Sequence, residues 1–556
     1  MKTTQGITRA FCALVAVAIS ATGADAQTYR DLTDEAALAI TQLHNAPTTN
    51  RFEGTAVVAA GSELRGNVAI IDGPLVLEGT IVGSVLVVNG SVLLGPAARV
   101  TGDVIVVGGD IEGADQARID GEQIVYREAL RYRRIGEMIV PDEPDPIAGL
   151  RAGRRFGIAR TSFAVALRGA YNRVEGLPIA FGPQIAFGRS NPTIVDGTLI
   201  YRTAGGFTLE EDQIGYIGRV EQFVGGHGRW RVGGTLHSEV LPIESNGLSD
   251  TEASLATFVL HRDYRDYYER EGWSAYLRWS GSAVADATLE YRDEKHHTRL
   301  EQSPWTIFDN GDPFRPQPIV GEGSLRSLTL RFTHDSRNDA REPSSGWLVR
   351  MESEQGLGGE MSIPLPDGAT TFGVDERFTA LSVDARRYLR VGPLTRIALG
   401  GRASGSVDGG PLPPQRQAVL GGEGSLPGFS AFEFDCAARD AARNASLGSD
   451  RPFNYGCDRA VLGRAMVEHT LPFIRPLGRS LGLDFDFGHE PALVVFADVG
   501  RAWTEDGALQ GRETGYSDFA ADAGLGLRLG RIGFYWAAPL TDGGEANFFV
   551  RIGPRF

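Results

Sequence analysis

From Thr161 to its C-terminus this chain alternates apolar and polar residues with a period of two. Phe163, Val165 and Leu167 fall on one side of an extended segment and Ala164, Ala166 and Arg168 on the other. Leu328, Leu330 and Phe332 oppose Thr329, Arg331 and Thr333, and Leu381, Val383 and Ala385 oppose Ser382, Asp384 and Arg386. Successive side chains of a strand point to opposite faces, so this period, repeated segment after segment, demands strands with one apolar and one polar face. The 72 glycines in 556 residues agree with many short strands and turns. What the apolar face meets stays open. A soluble sandwich turns it to a core and a membrane barrel turns it to lipid, and locally the two read alike.

Three further features favour the barrel. Between Thr161 and Phe556 there are about sixteen candidate strands, an even number as bacterial outer-membrane barrels require. Long polar connections recur at 241–270, 298–324, 357–375 and 407–458. The chain stops on a strand, NFFVRIGPRF, in which Phe548, Val550, Ile552 and Phe556 share a face, and a terminal aromatic resembles the insertion signal of outer-membrane proteins. The N-terminus agrees with export: Lys2 and Arg9 precede an apolar stretch from Ala10 to Ile19, and Ala24 and Ala26 flank Asp25, the pattern of a signal peptide, 1–26, cleaved before Gln27. Cys12 lies inside the apolar run, away from the cleavage point, which argues against lipid attachment. Beyond Gln27 no apolar run reaches the roughly twenty residues that a membrane helix needs. A net charge of −15 without clustered Lys and Arg excludes general nucleic-acid binding.

The N-terminal segment, 27–60, suggests a short amphipathic helix within 28–47. From Leu64 the sequence repeats itself, with LRGNVAIIDG at 64, IVGSVLVVNG at 81, VTGDVIVVGG at 100 and a fading IDGEQIVYRE at 119, at intervals of 17, 19 and 19 residues. One such unit cannot bury its apolar face alone, whereas stacked units share a core, so 61–126 reads as a β-solenoid with Val68, Ile70, Val85, Val87, Val104 and Val106 inward. This segment resembles the bactofilins, polymer-forming bacterial cytoskeletal proteins. Uncapped end rungs would expose unpaired strand edges and drive self-association. The proline-rich VPDEPDP, 140–146, cannot continue a helix or a central strand and marks a linker, 127–155, ahead of a barrel domain, 156–556.

The glycine-rich GGEGSLPGF, 421–429, is no phosphate loop, because no Lys-Ser or Lys-Thr follows and its flanks are strands. Together with YNRVEGLPIAFG from Tyr171, HDSRNDAREPSSGW from His334, MVEHTLPF from Met466, VVFADVGRAW from Val494 and GLGLRLGRIGFYWAAPL from Gly524, it resembles, in order, the bacterial surface antigen family. That family comprises sixteen-stranded outer-membrane barrels and includes the central subunit of the barrel assembly machinery and the two-partner-secretion transporters. The resemblance implies that the loop after the eleventh strand folds into the lumen, with Gly421, Gly422, Leu426, Pro427, Gly428 and Phe429 as its motif. It meets the wall motif Phe496, Asp498 and Gly500. The family's loop tip carries an arginine that pairs with the wall acid. Pro427 holds that position here, so the charge contact is absent as the family draws it. The tip is then expected to enter by shape and apolar contact, with Phe429 packing near Asp498, and an arginine restored at 427 would find Asp498 as its partner. Family translocases carry polypeptide-transport-associated domains, and a solenoid stands in their place.

Little here points to chemistry. His296 and His297 read as an ordinary exposed pair at a strand end, Asp309 and Asp312 lack the remaining spacing of a calcium loop, and no nucleophile has an evident His and acid. No catalytic residue, cofactor or metal is expected. Cys436 and Cys457, the only mature cysteines, would be exported to an oxidising compartment, so a disulfide closing about twenty residues is expected, worth about 3 kcal/mol. The expected fold is all-β: a signal peptide, a short periplasmic β-solenoid and a C-terminal 16-stranded antiparallel transmembrane β-barrel in a Gram-negative outer membrane. The expected function is to assist insertion or translocation of protein or lipid, through a weak seam between first and last strands where unpaired backbone could template a client strand. The alternative is a structural or adhesive envelope protein whose barrel anchors a self-associating solenoid. Expected partners are outer-membrane lipids, client proteins or envelope components and further copies through the solenoid, without nucleic acid. Backbone hydrogen bonds between the strands at Phe163 and Val550 would separate these readings.

Overall fold

The computed structural model describes residues 28–553 and Arg555, apart from 142–149, 365–370, 437–455, 473–490, 505–518 and stretches of at most five residues. The signal sequence, Asp309, Asp312 and Phe556 lie outside the described residues. Two units make up the chain.

In the first unit three parallel sheets wind around one aliphatic core. One stacks Asn67–Ile71, Val85–Val88, Val104–Val107 and Gln123–Tyr126; another stacks Ala56–Val58, Leu75–Leu77, Val92–Leu94 and Ile111–Glu112; the third stacks Glu63–Arg65, Thr80–Val82, Arg99–Val100 and Arg118–Ile119. Sequence interval and register coincide: Ile70, Val87, Val106 and Val125 lie one above another, and the six residues expected inward are all in the core. The corner glycines are required by close stacking, since a Cβ on Gly73, Gly90 or Gly109 would fall 2.2–2.3 Å from the rung before it. Polar ladders tie neighbouring rungs: Ser84 N donates to Asn67 Oδ1, Asp103 N to Ser84 Oγ, and Glu122 N to Asp103 Oδ1. Thr28–Arg30 adds a parallel strand on Ile124–Tyr126, so the last rung is covered on that sheet.

The second unit holds an antiparallel sheet of 18 strands. Sixteen are the staves of the barrel: β1 (Ala159–Leu167), β2 (Pro178–Phe187), β3 (Thr193–Arg202), β4 (Ile214–Val224), β5 (Trp230–Pro242), β6 (Tyr267–Ser282), β7 (Ala285–Thr298), β8 (Glu322–Asp335), β9 (Gly346–Pro364), β10 (Thr379–Arg390), β11 (Thr395–Ser406), β12 (Arg459–Thr470), β13 (Ala492–Trp503), β14 (Ala520–Leu529), β15 (Ile532–Pro539) and β16 (Asn547–Ile552). The other two are a leading strand, Leu150–Phe156, paired with β1, and the short Thr371–Gly373 folded back on β9. The apolar face of the alternation is the exposed one: Phe163 is 48% and Leu330 51% exposed, while Glu221, Glu239, Arg292, Glu294, Glu354, Glu468 and Asp498 are buried. A water-soluble sandwich would show the reverse, so the outer surface is a lipid-facing band around a charged lumen. Inside, the charges are paired, as in Arg270 with Glu239 (2.7 Å) and Glu294 (2.9 Å), and Arg416 with Glu354 (2.6 Å). Trp230, Trp279 and Trp347 are exposed at the rim opposite the long loops, forming an aromatic girdle. No helix among the described residues is long and apolar enough to cross a membrane.

Two further pieces belong to this unit. Helix α1 (Asp34–Asn45) packs on a hairpin of Tyr132–Ile135 and Met138–Pro141, where Asn45 Nδ2 donates to Ile139 O (2.6 Å) and Asn45 Oδ1 accepts from Ile139 N (2.9 Å). Met138 clusters with Ile194 of β3 and Phe223 of β4. The stretch read as linker thus contains a hairpin and the leading strand. Helix α2 (Asp250–Leu260), in the loop after β5, is begun by a capping box between Ser249 and Glu252.

Candidate functional site

The segment after β11 turns into the barrel, and wall residues bind its backbone at four points. Gly428 N donates to Asp522 Oδ2 of β14 (2.8 Å), Asn547 Nδ2 of β16 donates to Pro427 O (3.2 Å), Arg551 Nη1 of β16 to Glu423 O (3.3 Å), and Arg464 of β12 to Gly424 O. Leu420, Leu426, Phe429, Phe434, Cys436 and Cys457 form one buried cluster with the wall residues Ala460, Leu462, Ala502 and Ala520. Phe429 lies edge-on to Phe434, with centroids 5.0 Å apart. Gly421 and Gly422 have φ of 114° and 80°, the left-handed region that favours glycine. A Cβ on Gly428 would sit 2.6 Å from Asp522 Cβ, so only glycine lets the tip approach the wall this closely. On the wall, a Cβ on Gly500 would meet Leu420 Cδ1 at 3.1 Å, so its absence makes room for the loop. Cys436 and Cys457 are disulfide-bonded at the base.

Asp498, expected to lack its charge contact, has one from another source. Its carboxylate pairs with Arg555, beyond the end of β16, whose guanidinium also lies 3.6 Å over the ring of Phe496. Its cross-strand neighbour is Asp522, whose Oδ2 takes the loop tip and whose Oδ1 is buried without a hydrogen-bond partner. Arg551 binds Glu252 of α2 (2.7 Å) and Gly247 O (2.6 Å), and Glu252 Oε1 also accepts from Ile552 N (2.8 Å). Burial opposes the charge of Glu252, but Arg551 and these donors prevail and hold its carboxyl below the usual range. Arg551, Arg555, Asp522 and Glu252 escaped the sequence reading. The two arginines did leave a signal, since they stand at odd positions, opposite in parity to the outward Phe548 and Val550. A second correction concerns His296, which is buried rather than exposed: its ring meets Glu294 (3.3 Å) and Gln415 Nε2 from the lumen loop (2.7 Å). The lumen loop reaches it from a segment far off in sequence.

Among the described residues no ladder joins β1 to β16. The edge of β1 away from β2 is taken by the leading strand, with Leu150 opposite Val165 and Phe156 opposite Ala159. At six residues β16 is short of the roughly 9–11 that a tilted transmembrane strand needs.

Residues 264–556, just over half of the chain, match the family model described as the Omp85 superfamily domain. No curated protein matches the chain. Among solved structures the chain is similar to BamA from Haemophilus ducreyi lacking POTRA domains 1–3, at 14% identity over 73% of this chain and 75% of that one, with a TM-score of 0.43. It is also similar to CdiB from Acinetobacter baumannii, at 9% identity over 73% and 65% (TM-score 0.29), and to CdiB from Escherichia coli, at 12% over 77% and 67% (TM-score 0.31). With its inside-out barrel, inserted loop and family match, the chain belongs to the Omp85 superfamily and is a Gram-negative outer-membrane protein that assists the insertion or translocation of proteins.

Proposed function

We propose that the working site is the seam between β1 and β16, where backbone groups left out of the barrel ladder pair with an incoming client strand, and that no enzymatic step or cofactor takes part. The observation that carries this reading is the missing ladder between β1 and β16 among the described residues. A closed barrel has no strand edge to offer, whereas here β1 is held on its far side by the leading strand and not by β16. An edge released from it would offer a row of donors and acceptors that binds an extended peptide by β-augmentation. The short β16 supports it, because a strand too short for the hydrocarbon core thins the adjoining bilayer and lowers the barrier to sideways exit. Outer-membrane lipids meet the apolar outer face, and the solenoid serves as a periplasmic module.

Proteoliposomes containing the chain should speed the folding of an unfolded eight-stranded outer-membrane barrel, read as heat-modifiable migration, compared with empty liposomes. Absence of any acceleration by correctly inserted protein would leave the anchor reading instead. That reading draws support from the first solenoid rung, Thr49–Glu53, which forms the outer edge of its sheet.

A further inference from the structure

We infer that the leading strand, Leu150–Phe156, is an internal copy of a client's terminal strand, docked on the edge of β1 that an incoming polypeptide needs, and that it must leave before a client can bind. The inference rests on the reading of the seam as the working site. Two independent observations carry it.

The first is the pairing. One edge of β1 is filled by β2, from Ala159 opposite Phe187 to Leu167 opposite Ile179. The other, which a closed sixteen-stranded barrel would give to β16, is filled by the leading strand over seven antiparallel pairs. An even-numbered last strand also runs antiparallel to the first, so the leading strand lies in the direction β16 would take, over a similar length. The second is the sequence. The leading strand reads LRAGRRF and the last seven residues of the chain read VRIGPRF. Arg151, Gly153, Arg155 and Phe156 match Arg551, Gly553, Arg555 and Phe556 in order, and Leu150 matches Val550 in kind. A segment with the pattern of the end of β16 and the tail that follows it therefore sits where the last strand of a closed barrel would bind. Only residues 157 and 158 separate it from β1, so its local concentration far exceeds that of any free client. The partner fitted by this edge is an extended segment of another outer-membrane barrel ending on the same arginine, glycine and phenylalanine pattern.

The test uses the full chain in detergent micelles and a benzophenone-tagged peptide of sequence NFFVRIGPRF, with a scrambled peptide as control. Labelling mapped to β1 is compared in wild type, in Ala152→Pro/Arg154→Pro, which weakens the leading strand, and in oxidised Gly153→Cys/Ser162→Cys, which fastens it at paired positions. The proline variant should bind about tenfold more tightly than wild type, as expected if the strand is docked in nine molecules of ten. The oxidised pair should show no labelling of β1, and the single Gly153→Cys variant should behave as wild type. Heat-modifiable migration verifies that each form is folded. Equal labelling of β1 in all forms would overturn the internal copy while keeping the seam as a client site. No labelling of any folded form would overturn both.

Discussion

Asp498 has no solvent contact and Arg555 almost none, so removing either partner strands a charge in the lumen wall. Breaking a buried pair in this way typically costs about 3–5 kcal/mol. Arg555→Ala should therefore lower the midpoint of heat-modifiable unfolding clearly. Pro427→Arg should be tolerated, for a reason that differs from the sequence expectation: Asp498 is already engaged, but Asp522 Oδ1 beside the Gly428 tip is buried without a partner. Position 427 directly precedes the Gly428 amide that Asp522 binds, and Asp522 is the cross-strand neighbour of Asp498, so Arg555→Ala combined with Pro427→Arg should recover most of the lost midpoint. A double variant no better than Arg555→Ala alone would show that the tail and the tip do not serve the same acidic pair. The glycines at 421, 422 and 428 could be read from sequence as close-approach positions. The tail arginine that replaces the tip arginine could not, because nothing local ties a penultimate residue to a strand 57 positions earlier.

At the level of elements, α2 and β16 are joined through Glu252, which takes Arg551 and the Ile552 amide. Its folded pKa is depressed, so the tie is at full strength above the ordinary value of 4.5 and is lost as pH falls through the lower folded value. Cross-linking between cysteines placed on α2 and β16 should weaken only in that acid window, and Glu252→Gln should remove the pH dependence. The strands themselves follow the two-residue period faithfully. Leu330 is half exposed on the lipid side of β8, and its cross-strand partner Leu289 is exposed beside it. Leu330→Arg should cost about 2–4 kcal/mol in reversible folding into liposomes if it lies near mid-membrane. Arg331→Leu, on the lumen face next door, removes one of the two arginines that pair with Glu290, leaving Arg292, and should leave the lipid-facing surface unaffected.

For the whole molecule, the solenoid and the barrel are stabilised by opposite arrangements of the same residue types. The solenoid buries its Val and Ile around one core, and the barrel shows them to lipid and keeps its charges inside. The solenoid is closed on one sheet by Thr28–Arg30, which alters the self-association expected from open ends. A fragment of residues 49–126 should associate more strongly in sedimentation than one of 28–126, because only the longer carries the covering strand. Equal association of the two would place the contact on the first rung, at Thr49–Glu53.

What the sequence determined by itself was whatever depends on short-range periodicity. The two-residue alternation around Leu330 requires strands, the 17- and 19-residue intervals with their corner glycines require stacked rungs, and an exported chain with Cys436 and Cys457 favours a disulfide. These follow from backbone geometry and chemistry that a few residues carry locally. Tertiary structure alone decided which way the apolar face points, since alternation has the same period in a sandwich and in a barrel. It decided also that His296 is buried under Gln415, that Arg555 meets Asp498, and that Leu150–Phe156 lies on β1 where β16 would close the ring of a sixteen-stranded barrel. The first two pairings join residues 119 and 57 positions apart, and the third, though local in sequence, depends on which strand takes the far edge of β1, so each is settled only when the sheet curls and the loop enters it.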